Sequence, residues 1–304
     1  ASRCQREGRG FDPLCPLQLR KFIVIIWIAS YPKSGNTYLR SFLASYYFSD
    51  DGKFNFDQLL KIHQFPNMKF SKLRSNNKEE ASKNWIFNQN SFFKNLDLNL
   101  VKTHNCLYPF KSNEFTTENE TLGAIYIVRD PRNVITSLTH HYDLSYEEAY
   151  SHMIDENSSL LETSFELDHS NFTYLSSWSN HYQSWKNNKK FKTLFIKYED
   201  IEINKENVFE TVINFINNLK GRDTDLNQKK FLNSIKSTNF SNLKNKELNE
   251  GFEEKVSSKK TGKIINFFNL GFNNRWQKLL PSDIKEKLNK KFEKELKELN
   301  YFYE

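Results

Sequence analysis

The sequence predicts a single α/β domain with a central, mainly parallel sheet flanked by helices. Two observations predict this fold class. Short apolar, β-branched runs of strand length recur along the chain, and stretches with apolar residues at helical spacing lie between them. Strands that alternate with helices form βαβ units, in which the strands are parallel and the crossovers right-handed. Without an internal repeat, a long linker or a second core, one domain over residues 21–304 is the simplest interpretation.

The elements follow in order along the chain. Four apolar runs predict strands: Phe22–Ala29, Leu98–His104, Leu122–Asp130 and Lys192–Asp200. Apolar spacing predicts a helix directly after the first strand and further helices over Ser145–Asp155, Asn171–Asn187, Asn207–Leu219 and Pro281–Leu299. The polar, Lys- and Asn-rich stretch Asp50–Asn99 predicts short helices and loops.

The first twenty residues, Ala1–Arg20, mix Arg, Gly, Pro and Cys without periodicity. We expect them to lie outside the domain, as a disordered leader or a remnant of expression, and they lack the order of a secretory signal. No apolar run approaches the ~20 residues needed to span a bilayer. Three cysteines (Cys4, Cys15 and Cys106) give neither a disulfide framework nor a zinc pattern, which favours a reducing, cytoplasmic setting without a bound metal.

The net charge of +7 and the pI near 9.0 are compatible with an anionic partner such as a nucleotide, a nucleic acid or a lipid surface. The lysines, however, are scattered among asparagines, and abundant Lys, Asn, Ile and Phe also result from AT-rich coding DNA. A basic stripe interleaved with exposed aromatic residues is missing, so the sequence does not favour a nucleic-acid partner.

The turn after the first strand is the most informative segment. It reads Tyr-Pro-Lys-Ser-Gly-Asn-Thr over residues 31–37 and leads into a helix. A Gly-containing turn between a strand and a helix N-terminus directs backbone N–H groups at one point and binds phosphate-like anions. The residues available there are Lys33, Ser34, Gly35, Asn36, Thr37 and Tyr38. The turn is not a Walker A loop, because Lys33 precedes the glycine.

Polar residues at the ends of the other strands should lie near this turn, because ligands of open α/β sheets bind at the carboxyl ends of the strands. Lys102 and His104 follow one strand, and Arg129 and Tyr198 end two others. Arg129 and Ser137 suit a phosphate; the alternative is a local Arg129–Asp130 ion pair with Ser137 facing solvent. His104 is the candidate for proton transfer; the alternative is a structural histidine.

Two of these segments together resemble the signatures of the sulfotransferases that use 3′-phosphoadenosine 5′-phosphosulfate (PAPS). The turn resembles their 5′-phosphosulfate loop, with Asn36 and Tyr38 as departures, and Ile125–Ser137 resembles their 3′-phosphate signature. The resemblance implies a P-loop-like fold, transfer of the sulfuryl group from PAPS, and release of adenosine 3′,5′-bisphosphate (PAP). It implies that residues 33–38 bind the phosphosulfate, and that Arg129 and Ser137 bind the 3′-phosphate.

Shorter matches extend the resemblance. Lys102-Thr-His104 resembles the triplet whose histidine deprotonates the acceptor, with Lys102 assisting at the transferred group, although Asn105 and Cys106 stand where the family usually has Leu-Pro. The resemblance also implies nucleotide contacts for Tyr198, Thr238, Phe240 and Gly271.

The C-terminal match is incomplete. Asn269 and Leu270 replace the Arg-Lys pair that closes over the 3′-phosphate in the family, and Arg275 or the Ser258–Lys260 run could compensate.

The acceptor implied by the family is a small molecule, glycan or lipid with a hydroxyl, or an amine. Its pocket would come from Asp50–Asn99, Cys106 and Tyr142–Phe172. No pattern specifies an oligomeric state. Three alternatives remain: a nucleotide or nucleoside kinase with an atypical loop, a basic polyanion-binding protein without catalysis, and a thiol nucleophile at Cys106 beside His104.

Overall fold

The computed structural model describes residues 25–93, 98–160, 168–222, 225–258 and 260–301. The predicted leader, Ala1–Arg20, lies outside the described residues. The strands are Ile25–Ser30 (β1), His63–Gln64 (β2), Asn99–Thr103 (β3), Thr121–Val128 (β4), Ser159–Leu160 (β5), Thr173–Tyr174 (β6), Lys192–Lys197 (β7), Val256–Ser257 (β8) and Ile264–Ile265 (β9).

Helices lie between and after these strands. They are Asn36–Phe48 (α1), Lys78–Lys83 (α2), Trp85–Phe92 (α3), Pro131–Tyr142 (α4), Tyr146–Ile154 (α5), Trp178–Lys186 (α6), Tyr198–Ile203 (α7), Lys205–Leu219 (α8), Gln228–Ser237 (α9), Phe240–Glu250 (α10), Trp276–Leu279 (α11), Ser282–Lys291 (α12) and Glu293–Glu298 (α13). Short 3-10 helices cover Phe56–Lys61, Met68–Phe70 and Gly271–Asn273. Among the described helices, none is both long and apolar enough to cross a membrane.

The central sheet has five strands in the order β2-β3-β1-β4-β7, and every neighbouring pair is parallel. This confirms the predicted fold class. In the middle of the sheet, Ile28 of β1 lies beside Lys102 of β3 on one side and Ile125 of β4 on the other. Because the strands are parallel, their carboxyl ends form one edge, where β1, β3, β4 and β7 end within a few residues of one another.

Strand β1 explains how the sheet is buried. All six of its residues are buried, and their side chains alternate between two hydrophobic clusters. Trp27 packs in the cluster with α4, α5, α6, α12 and α13, whereas Ile26 and Ile28 pack in the cluster with α1 and α8. An apolar run without polar alternation is what a parallel strand covered on both faces requires.

Three predicted element boundaries are wrong. Strand β7 stops at Lys197 and Tyr198 already begins α7, where the buried Glu199 accepts hydrogen bonds from the Asp130 N–H and the Tyr301 hydroxyl. The helix predicted over Asn171–Asn187 covers only Trp178–Lys186, since residues 173–174 pair with β5 and Ser177 caps the helix. The last predicted helix is divided at Phe292 into α12 and α13.

Candidate active site

The turn between β1 and α1 has the backbone geometry of an anion-binding loop. Lys33 and Gly35 both have left-handed backbones, with φ of 64° and 99°. A Cβ atom on Gly35 would lie 2.3 Å from Cδ2 of Tyr198, so the position requires glycine for space as well as for conformation. The loop presents the N-terminus of the 13-residue helix α1, whose first N–H groups have no partner within the helix.

A cavity of about 680 Å³ opens at the carboxyl edge of the sheet, directly over this loop. Most of the predicted site residues line it: Lys33, Gly35, Asn36, Thr37, Tyr38, Lys102, His104, Arg129, Ser137, Tyr198, Phe240 and Gly271. Ser34 is buried beside the cavity, and among the described residues its hydroxyl has no hydrogen-bond partner. Thr238 is not brought to the cavity, because it is fully buried and its hydroxyl donates to the Ser234 carbonyl at 2.7 Å.

His104 is held in one tautomer by the chain. Its Nδ1 lies 2.7 Å from the Ser30 carbonyl oxygen, which can only accept, so Nδ1 carries the proton and Nε2 keeps its lone pair. Burial, followed by the charge of Lys102, lowers the pKa of His104 to about 3. His181 supports the same residue by donating from Nε2 to the His104 carbonyl at 3.0 Å. The imidazole is therefore neutral and able to accept a proton.

Asn36 connects the loop to His104. Its Nδ2 donates to the Ile28 carbonyl at 2.9 Å and to the Ser30 hydroxyl at 3.2 Å, and that hydroxyl lies 3.3 Å from Nδ1 of His104. Asparagine at this position thus ties the start of α1 to the end of β1.

Arg129 and Ser137, both expected near a phosphate, lie within hydrogen-bond distance of each other. Arg129 Nη1 lies 3.2 Å from the Ser137 hydroxyl and 3.1 Å from the Lys33 carbonyl, and its guanidinium stacks 4.3 Å from the centre of the Tyr198 ring. The alternative pairing with Asp130 does not form, because that carboxylate binds Arg132 at 2.7 Å. Within the described chain, Nε of Arg129 is buried without a partner, which leaves a donor for a ligand oxygen.

Lys33 is a half-buried lysine that is affected by the charges of Lys102 and Arg129. Its Nζ lies 3.6 Å from the centre of the Phe267 ring. Burial lowers the pKa of Lys33 to about 7; Glu254 opposes this shift, and Lys102 and Arg129 add to it. The lysine therefore changes charge near neutral pH.

Among the charged residues that the sequence did not predict, Glu254 and Arg40 form an ion pair at the site. The Glu254 carboxylate reaches the cavity from the loop after α10 and binds Thr37, Arg40 and Lys102. Arg40 lies on α1, one turn beyond the loop. The only available signal for Arg40 was its position at helical spacing after Asn36 and Thr37, whereas Glu254 lies in a polar stretch without a motif.

Comparison with known proteins identifies the family. The model of the sulfotransferase domain matches residues 25–300, which is most of the chain. The chain belongs to the sulfotransferase domain family. This confirms the family and the enzyme class predicted from the sequence.

Solved structures of other proteins share the fold. Mouse sulfotransferase SULT7A1 complexed with PAP has 16% sequence identity and a TM-score of 0.54, over 91% of this chain and 87% of that one. Retinol dehydratase in complex with androsterone and the inactive cofactor PAP has 16% identity and a TM-score of 0.57, over 90% and 80% of the two chains. No curated protein sequence matches the chain significantly.

The side of the cavity formed by the C-terminal segment departs from the sulfotransferase pattern. Gly271 has φ of 57°, and a Cβ atom there would lie 2.7 Å from the Phe240 ring. Asn269 and Leu270 line the cavity without a positive charge. Arg275 does not compensate in this structure, because it pairs with Glu202 at 2.6 Å and does not line the cavity.

The Ser258–Lys260 run, also expected to compensate, is placed elsewhere. The Ser258 hydroxyl donates to Asp143 at 2.6 Å, Lys260 is exposed away from the cavity, and residue 259 lies outside the described residues. Lys255, which was not predicted, lines the cavity instead.

Cys106 does not meet His104. It is fully buried, its Sγ lies 3.3 Å from the Ser184 hydroxyl, and burial raises the pKa of the thiol to about 11. A nucleophilic thiol requires the opposite shift, so the thiol-nucleophile reading is wrong. Among the described residues, no group of His, Cys, Asp and Glu side chains is arranged to hold a metal ion.

The far wall of the cavity comes partly from the segments expected to hold the acceptor. It is lined by Gln64, Phe65, Pro66, Asn67, Tyr142, Leu160, Asn171 and Thr173. Cys106 is not among these residues, in contrast to the prediction. The wall mixes aromatic rings with amide and hydroxyl groups.

Proposed function

We propose that this sulfotransferase uses PAPS as its donor and transfers the sulfuryl group to a hydroxyl or an amine of a small-molecule, glycan or lipid acceptor. The observation that carries the proposal is the convergence of the β1–α1 loop, His104 and the Arg129–Ser137 pair on one cavity. Mouse sulfotransferase SULT7A1 and retinol dehydratase, which share the fold, were both solved with PAP, and the latter also with androsterone.

The residues present fit the donor at both of its anionic ends. The loop and the N-terminus of α1 offer backbone donors for the 5′-phosphosulfate, and the Ser34 hydroxyl of the same loop, which has no partner among the described residues, adds another. Arg129 and Ser137 offer donors for a 3′-phosphate, with Tyr198 and Phe240 as aromatic surfaces beside them for the adenine.

The transfer is an in-line displacement. The acceptor oxygen forms a bond to sulfur while the bond between sulfur and the bridging oxygen breaks, and the electron pair of that bond stays on the phosphate of PAP. Lys33 stabilises this developing charge, and Lys102 holds the transferred group. Nε2 of His104 takes the proton of the acceptor hydroxyl, a contribution of about 10²–10⁴-fold to the rate.

Calorimetry with PAP and ATP separates this proposal from the kinase alternative. We expect PAP to bind and ATP, which lacks a 3′-phosphate, to bind much more weakly. Transfer of label from [³⁵S]PAPS to a panel of phenols, steroids, sugars and lipids then identifies the acceptor class. Failure of wild-type protein to bind PAP, or tighter binding of ATP than of PAP, contradicts the proposal.

A further inference from the structure

The Glu254 carboxylate lines the cavity and is bound by three donors. Oε1 accepts from Arg40 Nη1 at 2.8 Å and from Lys102 Nζ at 3.1 Å, and Oε2 accepts from the Thr37 hydroxyl at 2.9 Å. The proposed function assigns two of these donors, Thr37 and Lys102, to the phosphosulfate end of the donor. A negatively charged group of the chain itself therefore lies where that function needs an anion.

The charges of this cluster are those of an anion-binding pocket. The side chains of Arg40 and Lys102 are only 7% and 6% exposed, so two buried cations share one carboxylate. Burial alone raises the pKa of Glu254, but Lys102, Arg40 and the Thr37 hydroxyl outweigh it and hold the pKa well below its ordinary value. Glu254 is thus an anion at neutral pH. Without it, the two cations would keep an excess positive charge that attracts another anion.

The position of the Glu254 carboxylate corresponds to the sulfuryl end of the donor. Lys102 and His104 both line the cavity, and the charges of Lys102 and Glu254 both act on the pKa of His104. Thr37 is in the first turn of α1. A group bound between them lies next to the base, which is where in-line transfer requires the sulfuryl group rather than the adenosine.

Arg40 has further donor capacity for such a group. Its Nη2 donates a hydrogen bond to the Ile62 carbonyl at 3.3 Å, which helps to hold the guanidinium in place. In the described part of the chain, its Nε is buried without a hydrogen-bond partner. A carboxylate offers two oxygens to this pocket, whereas a sulfuryl group offers three.

We propose that Thr37, Arg40 and Lys102 form the subsite for the sulfuryl group, that Arg40 is a further ligand of that group, and that Glu254 occupies the subsite until the donor displaces it. This inference rests on the proposed function. Displacement keeps the buried donors paired, because one anion replaces another. It also weakens the apparent affinity, because only chains with Glu254 displaced can accept the donor.

Calorimetric titration of PAPS and PAP, without acceptor, tests the inference on wild type and on Glu254→Gln. The substitution keeps the shape of the side chain and removes its charge. We expect binding of PAPS to tighten about tenfold, as the competing anion is lost. We expect a smaller gain for PAP, which has no sulfuryl group. Glu210→Gln is the control, because it removes the same charge from an exposed side chain of α8 that does not line the cavity.

Arg40 is tested by the same titrations. Arg40→Gln removes a charged donor and should weaken PAPS binding about 10–100-fold, with a smaller loss for PAP. Arg40→Lys, which keeps the charge, should lose less affinity for PAPS. It replaces the glutamine variant in the titrations if that variant does not fold. In the Arg40→Gln background, Glu254→Gln should increase the affinity for PAPS less than it does in wild type, because the two residues interact with each other.

The titrations distinguish failure of the proposed function from failure of this inference. If wild type binds neither PAP nor PAPS, the proposed function itself is wrong. If wild type binds PAPS but Glu254→Gln binds it with unchanged or weaker affinity, the proposed function stands and the inference fails. Equal losses for PAP and PAPS in Arg40→Gln overturn the role of Arg40 as a ligand of the sulfuryl group.

Discussion

Binding of PAP should be coupled to protonation of Lys33. Burial lowers the pKa of this lysine to about 7 in the free protein. The bound nucleotide places negative charge beside the ammonium group and favours its charged form. The pKa of Lys33 therefore rises on binding, and above pH 7 the complex must take up a proton that the free protein lacks.

The magnitude follows from the pKa. At pH 8, one unit above a pKa of about 7, roughly nine in ten free molecules carry neutral Lys33. If the pKa in the complex exceeds 9, binding at pH 8 takes up about 0.8–0.9 proton, and the affinity falls by up to about tenfold for each pH unit above 7. At pH 6 the lysine is already charged, so the uptake should be close to zero.

The assay is calorimetry of PAP binding at pH 8 in buffers with different ionisation enthalpies, where the dependence of the apparent enthalpy on the buffer gives the proton number. Phosphate groups near their second pKa of about 6 contribute little at this pH. Glu254 stays ionised whether bound or displaced, and His104, with a pKa of about 3, is neutral in the free protein.

Two variants assign the proton. Lys33→Gln should lose the uptake, and Lys61→Gln, which changes an exposed lysine, should keep it. A proton number near zero for wild type at pH 8 would refute the reasoning, as would an undiminished uptake in Lys33→Gln.

Three further predictions concern single positions. His104→Asn should lower kcat at least about 100-fold with little change in the Kd for PAP; a parallel loss of PAP binding contradicts its role as the base. Arg129→Gln should weaken PAP at least about tenfold but leave adenosine 5′-phosphate nearly unchanged, and equal losses argue against a 3′-phosphate contact. Gly35→Ala should lower the free energy of unfolding by at least about 3 kcal/mol in urea titration, because it adds a collision with Tyr198 to the strain of φ 99°. Gly221→Ala is its control, with φ of 61° and, among the described residues, no atom within 4 Å of the added Cβ, and should cost only about 1–2 kcal/mol; equal costs would refute the packing argument.

The fold could be predicted because its signals are local and strong. An unbroken apolar run such as β1 has few solutions other than a strand covered on both faces. The boundaries at Tyr198 and Thr173 were missed because long-range contacts decide them: Glu199 is held by Asp130 and Tyr301, and residues 173–174 pair with β5. The strand β2 is two residues long, which is too short to leave a periodic pattern.

The same distinction between local signals and long-range contacts applies to the residues of the candidate site. Residues at the ends of parallel strands, such as His104 and Arg129, could be predicted because the topology brings those ends to one edge. Glu254 could not, because it reaches the site from a loop more than 200 residues after Thr37, its hydrogen-bond partner. Arg40 was missed because nothing in a helix sequence indicates which anion an arginine faces.

Four basic side chains near the β1–α1 loop explain why such late segments complete the site. Lys33, Lys102 and Arg129 line the cavity, and Arg40 shares the Glu254 carboxylate with Lys102; without compensation their mutual repulsion would destabilise the nucleotide-free fold. The chain provides a partner for each of them: the Phe267 ring lies against Lys33, the Tyr198 ring against Arg129, and the Glu254 carboxylate between Arg40 and Lys102.

The two kinds of partner have different consequences for binding. A ring face can remain beside a cation while a phosphate approaches from another side, since a cation–π contact leaves the other donors free. A carboxylate cannot, because it occupies the same donors and carries the same charge as the incoming group. Glu254 therefore stabilises the free protein but weakens its affinity for the donor. Because the rings do not compete in this way, substitution of Glu254 alone distinguishes charge compensation in the free protein from binding of the donor.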